Sequence, residues 1–278
     1  MDTASSSKIG LGRRKISVSQ PQYFHDKPNM EHHSLFSDRS DLYAKVRPHY
    51  PTALFSFLAS LCNEQKSAWD VACGNGQAAV DLAKYFTEVH ATDISEQQIA
   101  NAIPNPRVRY SIQAAEKTDF AENQFDLVAV AQALHWFDYD LFWSEVKRVL
   151  KPNGIFAAWG YSWFLAEDIN DVLQKDFFPA IEPYWAKQNQ ILWNGYRDVP
   201  FPFERIETPE FEMKMEWSLA QLFSYLQTWS SLRQYLQKGG DEEFLKHTYE
   251  ALKSLWGDGK EKKSIKMDFT LLVGRNRF

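Results

Sequence analysis

Three groups of residues in this sequence have types and spacings that could do chemistry. The first is Asp70 with Gly74 and Gly76, inside Ser67-Ala68-Trp69-Asp70-Val71-Ala72-Cys73-Gly74-Asn75-Gly76-Gln77. Glycine has no Cβ, takes positive φ, and lets a ligand lie against backbone N–H groups at a helix N-terminus. Asp93 closes the next apolar run, roughly twenty residues past the glycines, where a carboxylate can take both hydroxyls of a ribose. The second group is His135 with Trp136, a proton acceptor beside an aromatic face that attracts cations. The third is arginine among aromatics: Arg197 in Trp193-Asn194-Gly195-Tyr196-Arg197, with Lys187, Arg205 and Arg233 elsewhere. A guanidinium in such company can hold a carboxylate; each of these cations also reads as a solvated surface charge.

The glycine turn limits the ligand. Gln77 and Ala78 follow Gly76, so the third glycine of the dinucleotide fingerprint is missing, and no Gly-Lys-Ser/Thr ending marks a phosphate-cradling loop. The turn therefore suits a nucleoside without a pyrophosphate.

The elements that must position these groups follow from hydrophobic period. Strands are expected at 67–70, 88–93, 108–113, 125–131 and 155–159, and the continuous apolar run 125–131 reads as a strand covered on both faces. Helical period follows Gly76 (Ala78, Ala79, Leu82, Ala83, Phe86) and covers Asp140 to Leu150, with Asp138 as its cap. Lys151-Pro152-Asn153-Gly154 reads as a turn. Alternating strands and helices give an α/β fold with a doubly wound, Rossmann-like parallel sheet, whose ligands bind at the carboxyl ends of the strands. Asp70, Asp93, Glu116 and His135 all fall there.

These blocks resemble the class I S-adenosylmethionine (SAM) methyltransferases. Asp70 to Gln77 is similar to motif I of that family. Further blocks follow in the family's order: Tyr43-Ala44-Lys45-Val46-Arg47-Pro48-His49-Tyr50-Pro51, Asp93-Ile94-Ser95, Ala131-Gln132-Ala133-Leu134-His135-Trp136-Phe137-Asp138 and Leu150-Lys151-Pro152-Asn153-Gly154. The first and fourth resemble the trans-aconitate methyltransferase-like subgroup, with a methyltransferase type 11 domain. The resemblance covers residues 35–160, with a fainter echo in Tyr225 to Ser230. It implies a seven-stranded sheet under a helical, aromatic-rich acceptor lid, and S-adenosyl-L-methionine as cofactor. It assigns Tyr43, Arg47, Asp70, Gly74, Asn75, Gly76, Gln77, Asp93, Ile94, Ala115, Glu116 and Ala131 to that cofactor. Arg47 would pair with its methionine carboxylate; Ala115 and Glu116 would reach its adenine.

SAM carries its own leaving group, so the protein must mainly align the acceptor and exclude water. A carboxylate acceptor needs no base at neutral pH, whereas an amine or hydroxyl must lose a proton. His135 and Trp136 are the catalytic candidates; His135 capping a strand and Trp136 packing in the core is the competing reading. Trp193, Tyr196 and Arg197 are the acceptor-binding candidates. The expected activity is methyl transfer to a small molecule, a carboxylic acid before an amine or ring. An NAD-type dehydrogenase shares the glycine turn and acid, but Asn75-Gly76-Gln77 and the Ala133 to Asp138 block argue against it. A non-catalytic SAM-binding relative is the other competitor.

Composition sets the frame. The 278 residues suit one elaborated domain: a tail at 1–34, a SAM-binding core at 35–160, an acceptor insert at 161–208 and completing elements at 209–278. Eight of the ten Trp lie in the second half, as an apolar acceptor lid or a Trp-rich core. A net charge of −5 argues against nucleic acid or an anionic membrane as partner. Two cysteines make no disulfide framework, and His25, His32 and His33 lack metal-site spacing, so no metal is expected. No run reaches membrane-spanning length and no signal-peptide core opens the chain, which points to the cytoplasm. Oligomeric state is left open.

Overall fold

The computed structural model describes residues 47–166, 169–241 and 243–278. Tyr43, the 1–34 tail and His25, His32 and His33 lie outside the described residues. Helix α1 (Thr52–Leu61) follows Pro51, whose fixed φ suits a helix start, and buries Leu54, Phe55, Leu58 and Ala59 on one face. Then come β1 (Ser67–Val71), α2 (Gln77–Leu82), β2 (Glu88–Asp93), α3 (Glu96–Ala100), β3 (Val108–Ile112) and β4 (Phe125–Ala131). A 3-10 turn (Leu134–Trp136) leads into α4 (Tyr139–Val149), capped by the Asp138 carboxylate on the amides of Asp140 and Leu141.

The chain continues with β5 (Leu150–Leu165), α5 (Asn170–Val172), a π-helical turn (Leu173–Phe177), α6 (Phe178–Ile181), a 3-10 turn (Glu182–Tyr184) and α7 (Asn189–Trp193). It closes with β6 (Glu204–Arg205), β7 (Met213–Trp217), α8 (Leu219–Gln227), α9 (Ser230–Gln237), α10 (Glu243–Trp256) and β8 (Lys263–Arg275).

The sheet runs β3-β2-β1-β4-β5-β8-β6, parallel through β5, with β8 antiparallel to it. Strand β7 also pairs with β8, at residues 263–267, while β6 takes residues 274–275. Met267 is paired in register with Phe164 on one side and Met213 on the other, so β6 and β7 lie end to end along one edge. The seven expected strand positions are therefore filled by eight strands.

Strand β5 departs from expectation at both ends. Lys151 to Gly154 is not a free turn, because the C-terminal segment pairs with it. The Asn153 amide donates to the Asn276 carbonyl, the Asn276 amide to that of Gly154, and Asn276 Nδ2 to the carbonyls of Leu150 and Lys151. At the other end β5 runs to Leu165, since β8 is long enough to pair with Phe164 and Leu165. Trp163 and Phe164, assigned to a helical insert from sequence, thus stand on the sheet.

Alternate residues along the strands feed two cores. Ala68, Ala91, Leu127 and Ala157 pack with α1 and α2, whereas Trp69, Val128, Phe156 and Ala158 pack with α4. A third cluster lies beyond, joining Tyr161 and Phe164 of β5 and Ile265 and Met267 of β8 to Leu173, Phe177, Leu222, Trp229, Leu252 and Trp256. Burial of such side chains stabilises by about 1.5–3 kcal/mol each. The aromatic segment is a core in its own right.

Candidate active site

Between β1 and α2 the backbone takes positive φ three times: Ala72 at 51°, Gly74 at 56° and Gly76 at 85°. Alanine is unusual there, and sequence reading missed it because only glycine advertises the left-handed region. Asp93 shapes this loop directly. One carboxylate oxygen accepts from the Gly74 amide at 2.8 Å, the other from the Ser95 amide at 2.9 Å, and Ser95 caps α3. The residue expected to hold a ribose is also the clasp between loop and α3.

Asp70 is fully buried, and its carboxylate makes no hydrogen bond of ordinary geometry among the described residues, the Ala79 amide acting on it only weakly. Burial raises its pKa to about 8; the Ala79 amide opposes that shift and the neighbouring Asp93 adds to it. Gln77 donates to the Pro48 carbonyl at 2.9 Å, drawing the Arg47 to Pro51 stretch across the loop. Arg47 in turn donates to the Tyr161 hydroxyl at 2.8 Å, an anchor on β5 that the sequence did not signal. Asn75 is half-buried at the turn, and a Cβ on Gly74 would meet nothing nearer than Gln98 Oε1 at 3.8 Å. That flank fits a polar ligand laid against the backbone.

On the far side of the sheet's carboxyl edge, Ile94 is exposed and Ala115 buried, while Glu116 accepts from the Asp138 amide at 3.3 Å. Ala131 ends β4, half-buried. Gln132 follows at φ 62°, donating its side-chain amide to the Tyr161 carbonyl and its backbone amide to that of Trp159. His135 is buried, its ring 4.9 Å from that of Trp136, and its Nδ1 has no partner among the described residues. Burial lowers its pKa to about 3, so it is a neutral imidazole at physiological pH.

This has a measurable sign. A buried histidine with a folded pKa below its unfolded one stabilises the protein above about pH 6.5 and loses that contribution as pH falls. From pH 7 to pH 5 the wild type is expected to lose about 2 kcal/mol more stability than His135→Gln, by urea unfolding at both pH values. Parallel pH curves for the two proteins would refute the assignment.

The acceptor candidates separate. Trp193 is half-buried, 5.1 Å from Trp163 and 5.6 Å from Trp185. Tyr196 is fully buried, with its hydroxyl unpartnered among the described residues. A Cβ on Gly160 of β5 would lie 2.5 Å from Leu192 Cδ1, 2.9 Å from Gln132 Oε1 and 3.3 Å from the Tyr196 hydroxyl, so glycine there admits all three. Arg197, by contrast, is exposed and gives its Nε to the Asn194 carbonyl at 2.7 Å. The backbone turn at Gly195 and Tyr196 carries it to the surface while burying the tyrosine. Among the described residues no cluster of His, Cys, Asp or Glu is placed to hold a metal.

The arrangement has known counterparts. A methyltransferase domain family matches residues 69–158. A Dictyostelium discoideum protein named as a methyltransferase is 32% identical over 251 residues, 87% of this chain and 92% of its own. A solved structure from Anaeromyxobacter dehalogenans, named as a type II methyltransferase, is 34% identical with a TM-score of 0.77, covering 82% of this chain and 97% of that one. A Saccharomyces cerevisiae protein named as an S-adenosylmethionine-dependent methyltransferase is 27% identical over 128 residues, 43% of this chain and 44% of its own. Sheet order, glycine loop and these likenesses together make the chain a member of the class I SAM-dependent methyltransferases. It is an enzyme of that class, and its cofactor is S-adenosylmethionine.

Proposed function

We propose that the chain methylates a carboxylate oxygen of a small organic acid, in the manner of the trans-aconitate methyltransferase-like subgroup. Bound SAM would supply an electrophilic methyl group. Asp70, Gly74, Asn75, Gly76, Gln77 and Asp93 would hold that cofactor, with Arg47 at its carboxylate end and Ile94, Ala115 and Glu116 towards its adenine.

The observation that carries the choice of acceptor is the state of His135. It is the histidine nearest the carboxyl end of β4, it is buried and neutral, and its depressed pKa makes it a poor base. An acceptor already ionised at neutral pH needs no such base. His135 and Trp136 then serve to orient the acceptor, and Trp163 and Trp193 provide an apolar wall for its body. The half-buried rings of Trp163, Trp185 and Trp193 also favour a second reading, N- or C-methylation of an amine or ring, since indole faces attract cations.

The same reading makes the partner a free metabolite in the cytoplasm rather than nucleic acid or a membrane. The net charge of −5 supports it, and no helix among the described residues is long and apolar enough to cross a bilayer. The test is incubation with methyl-labelled SAM and pooled small acids and amines, followed by product mass and mild alkali. Methyl esters that alkali cleaves are expected. Alkali-stable products would move the reading to N- or C-methylation, and SAM binding without turnover would reject catalysis.

A further inference from the structure

We propose that Tyr110 is a positioning residue for the cofactor loop. It stands in the middle of β3, paired with Ala91, and neither motif I nor its acidic partner includes it. Its ring covers the back of the loop at Gly76. A Cβ on that glycine would lie 2.1 Å from the Tyr110 hydroxyl oxygen and 2.6 Å from Cε1. The same hydroxyl donates to the Ile103 carbonyl at 2.8 Å, and the Ile103 amide donates to the Asn75 carbonyl at 2.9 Å. Tyr110 therefore reaches two consecutive loop residues, Gly76 by packing and Asn75 through Ile103.

The two glycines divide the work. Gly76 is glycine because Tyr110 occupies the space a side chain would need, and its φ of 85° is closed by its own amide bond to Cys73. A Cβ on Gly74 would meet only Gln98 Oε1, at an unstrained 3.8 Å, and Asp93 holds its amide from β2. One side of the loop is clamped to β3 and the α3–β3 connection, and the other is left for the ligand. A loop fixed beforehand loses less conformational entropy when the ligand arrives, and that saving appears as affinity.

The experiment measures S-adenosylhomocysteine binding by calorimetry, thermal melting, and hydrogen exchange at Asn75 to Gln77. Tyr110→Leu removes the ring and is expected to weaken binding about tenfold or more, with faster exchange in the loop and unchanged exchange in β4. Tyr110→Phe keeps the ring and loses one hydrogen bond, for an expected loss of about two- to tenfold with a melting temperature near that of wild type. If Tyr110→Leu folds poorly, the Phe variant alone decides. Affinity within twofold of wild type, or a loss that tracks only the unfolded fraction, overturns the proposal. Cofactor affinity is read without turnover, so the outcome is independent of which acceptor the enzyme uses.

Discussion

Asp70→Asn is expected to melt higher than wild type at pH 8, and to bind S-adenosylhomocysteine at least tenfold more weakly. Asp70 is fully buried with no hydrogen bond of ordinary geometry to its carboxylate among the described residues, and burial raises its pKa from 3.8 to about 8. A carboxyl with a folded pKa above its unfolded one keeps its proton to higher pH in the native state. Its stabilising contribution is complete below about pH 4 and lost as pH rises towards 8. At pH 7 the penalty is of order 4 kcal/mol, which asparagine avoids by carrying no charge. At pH 8 about half of Asp70 is ionised, and the variant surrenders the negative charge that the ammonium group of S-adenosylhomocysteine favours, so stability rises while affinity falls. Urea unfolding at pH 4, 7 and 8 gives the test: the two proteins should converge at pH 4 and diverge above it. Equal slopes would remove the strained carboxyl from the account.

Gly76→Ala is expected to abolish measurable S-adenosylhomocysteine binding and to lower the melting temperature by several degrees. Two costs add. A side chain at φ 85° is strained by about 1–3 kcal/mol, and its Cβ collides with the Tyr110 ring. Relieving that overlap costs about 1–3 kcal/mol more and displaces either the loop or β3. Gly74→Ala meets only the backbone cost, because the Cβ position there has only Gln98 Oε1 near it, at 3.8 Å. Calorimetry and melting on both variants separate them: Gly74→Ala should remain well folded, and Gly76→Ala should lose both properties. Equal melting temperatures for the two would show that Tyr110 yields freely.

Local pattern carried much of this architecture. Strand β4 was legible to the residue, because an uninterrupted apolar run between polar ends admits few other folds. Asp138 as a cap, and the loop with Asp93 behind it, were equally plain, since capping and glycine turns are short-range chemistry. What escaped depended on distant partners. Lys151 to Gly154 keeps the bend its composition signals, with Asn153 at φ 62° and a register shift opposite β4, but lies within β5, where Asn276 pairs with it from the far end of the chain. Arg197 looked like an acid anchor, yet a bond to the Asn194 carbonyl three residues earlier turns it to solvent. Tyr110 read as one more aromatic on a strand; its bearing on Gly76 exists only once β3 and the loop are brought together.

The continuity of β5 and β8 has a practical outcome for anyone re-engineering substrate choice. Both strands run on from the sheet into the aromatic cluster through a bulge between Tyr161 and Phe164, beyond which Phe164 faces Met267 and Met267 faces Met213. Chimeras spliced at residue 161 would sever these ladders and leave hydrophobic strand ends bare. A transplant of this segment must carry both strand tips and β7 as one block, whereas point changes at the half-buried Trp163, Trp185 and Trp193 leave the strand ladders whole.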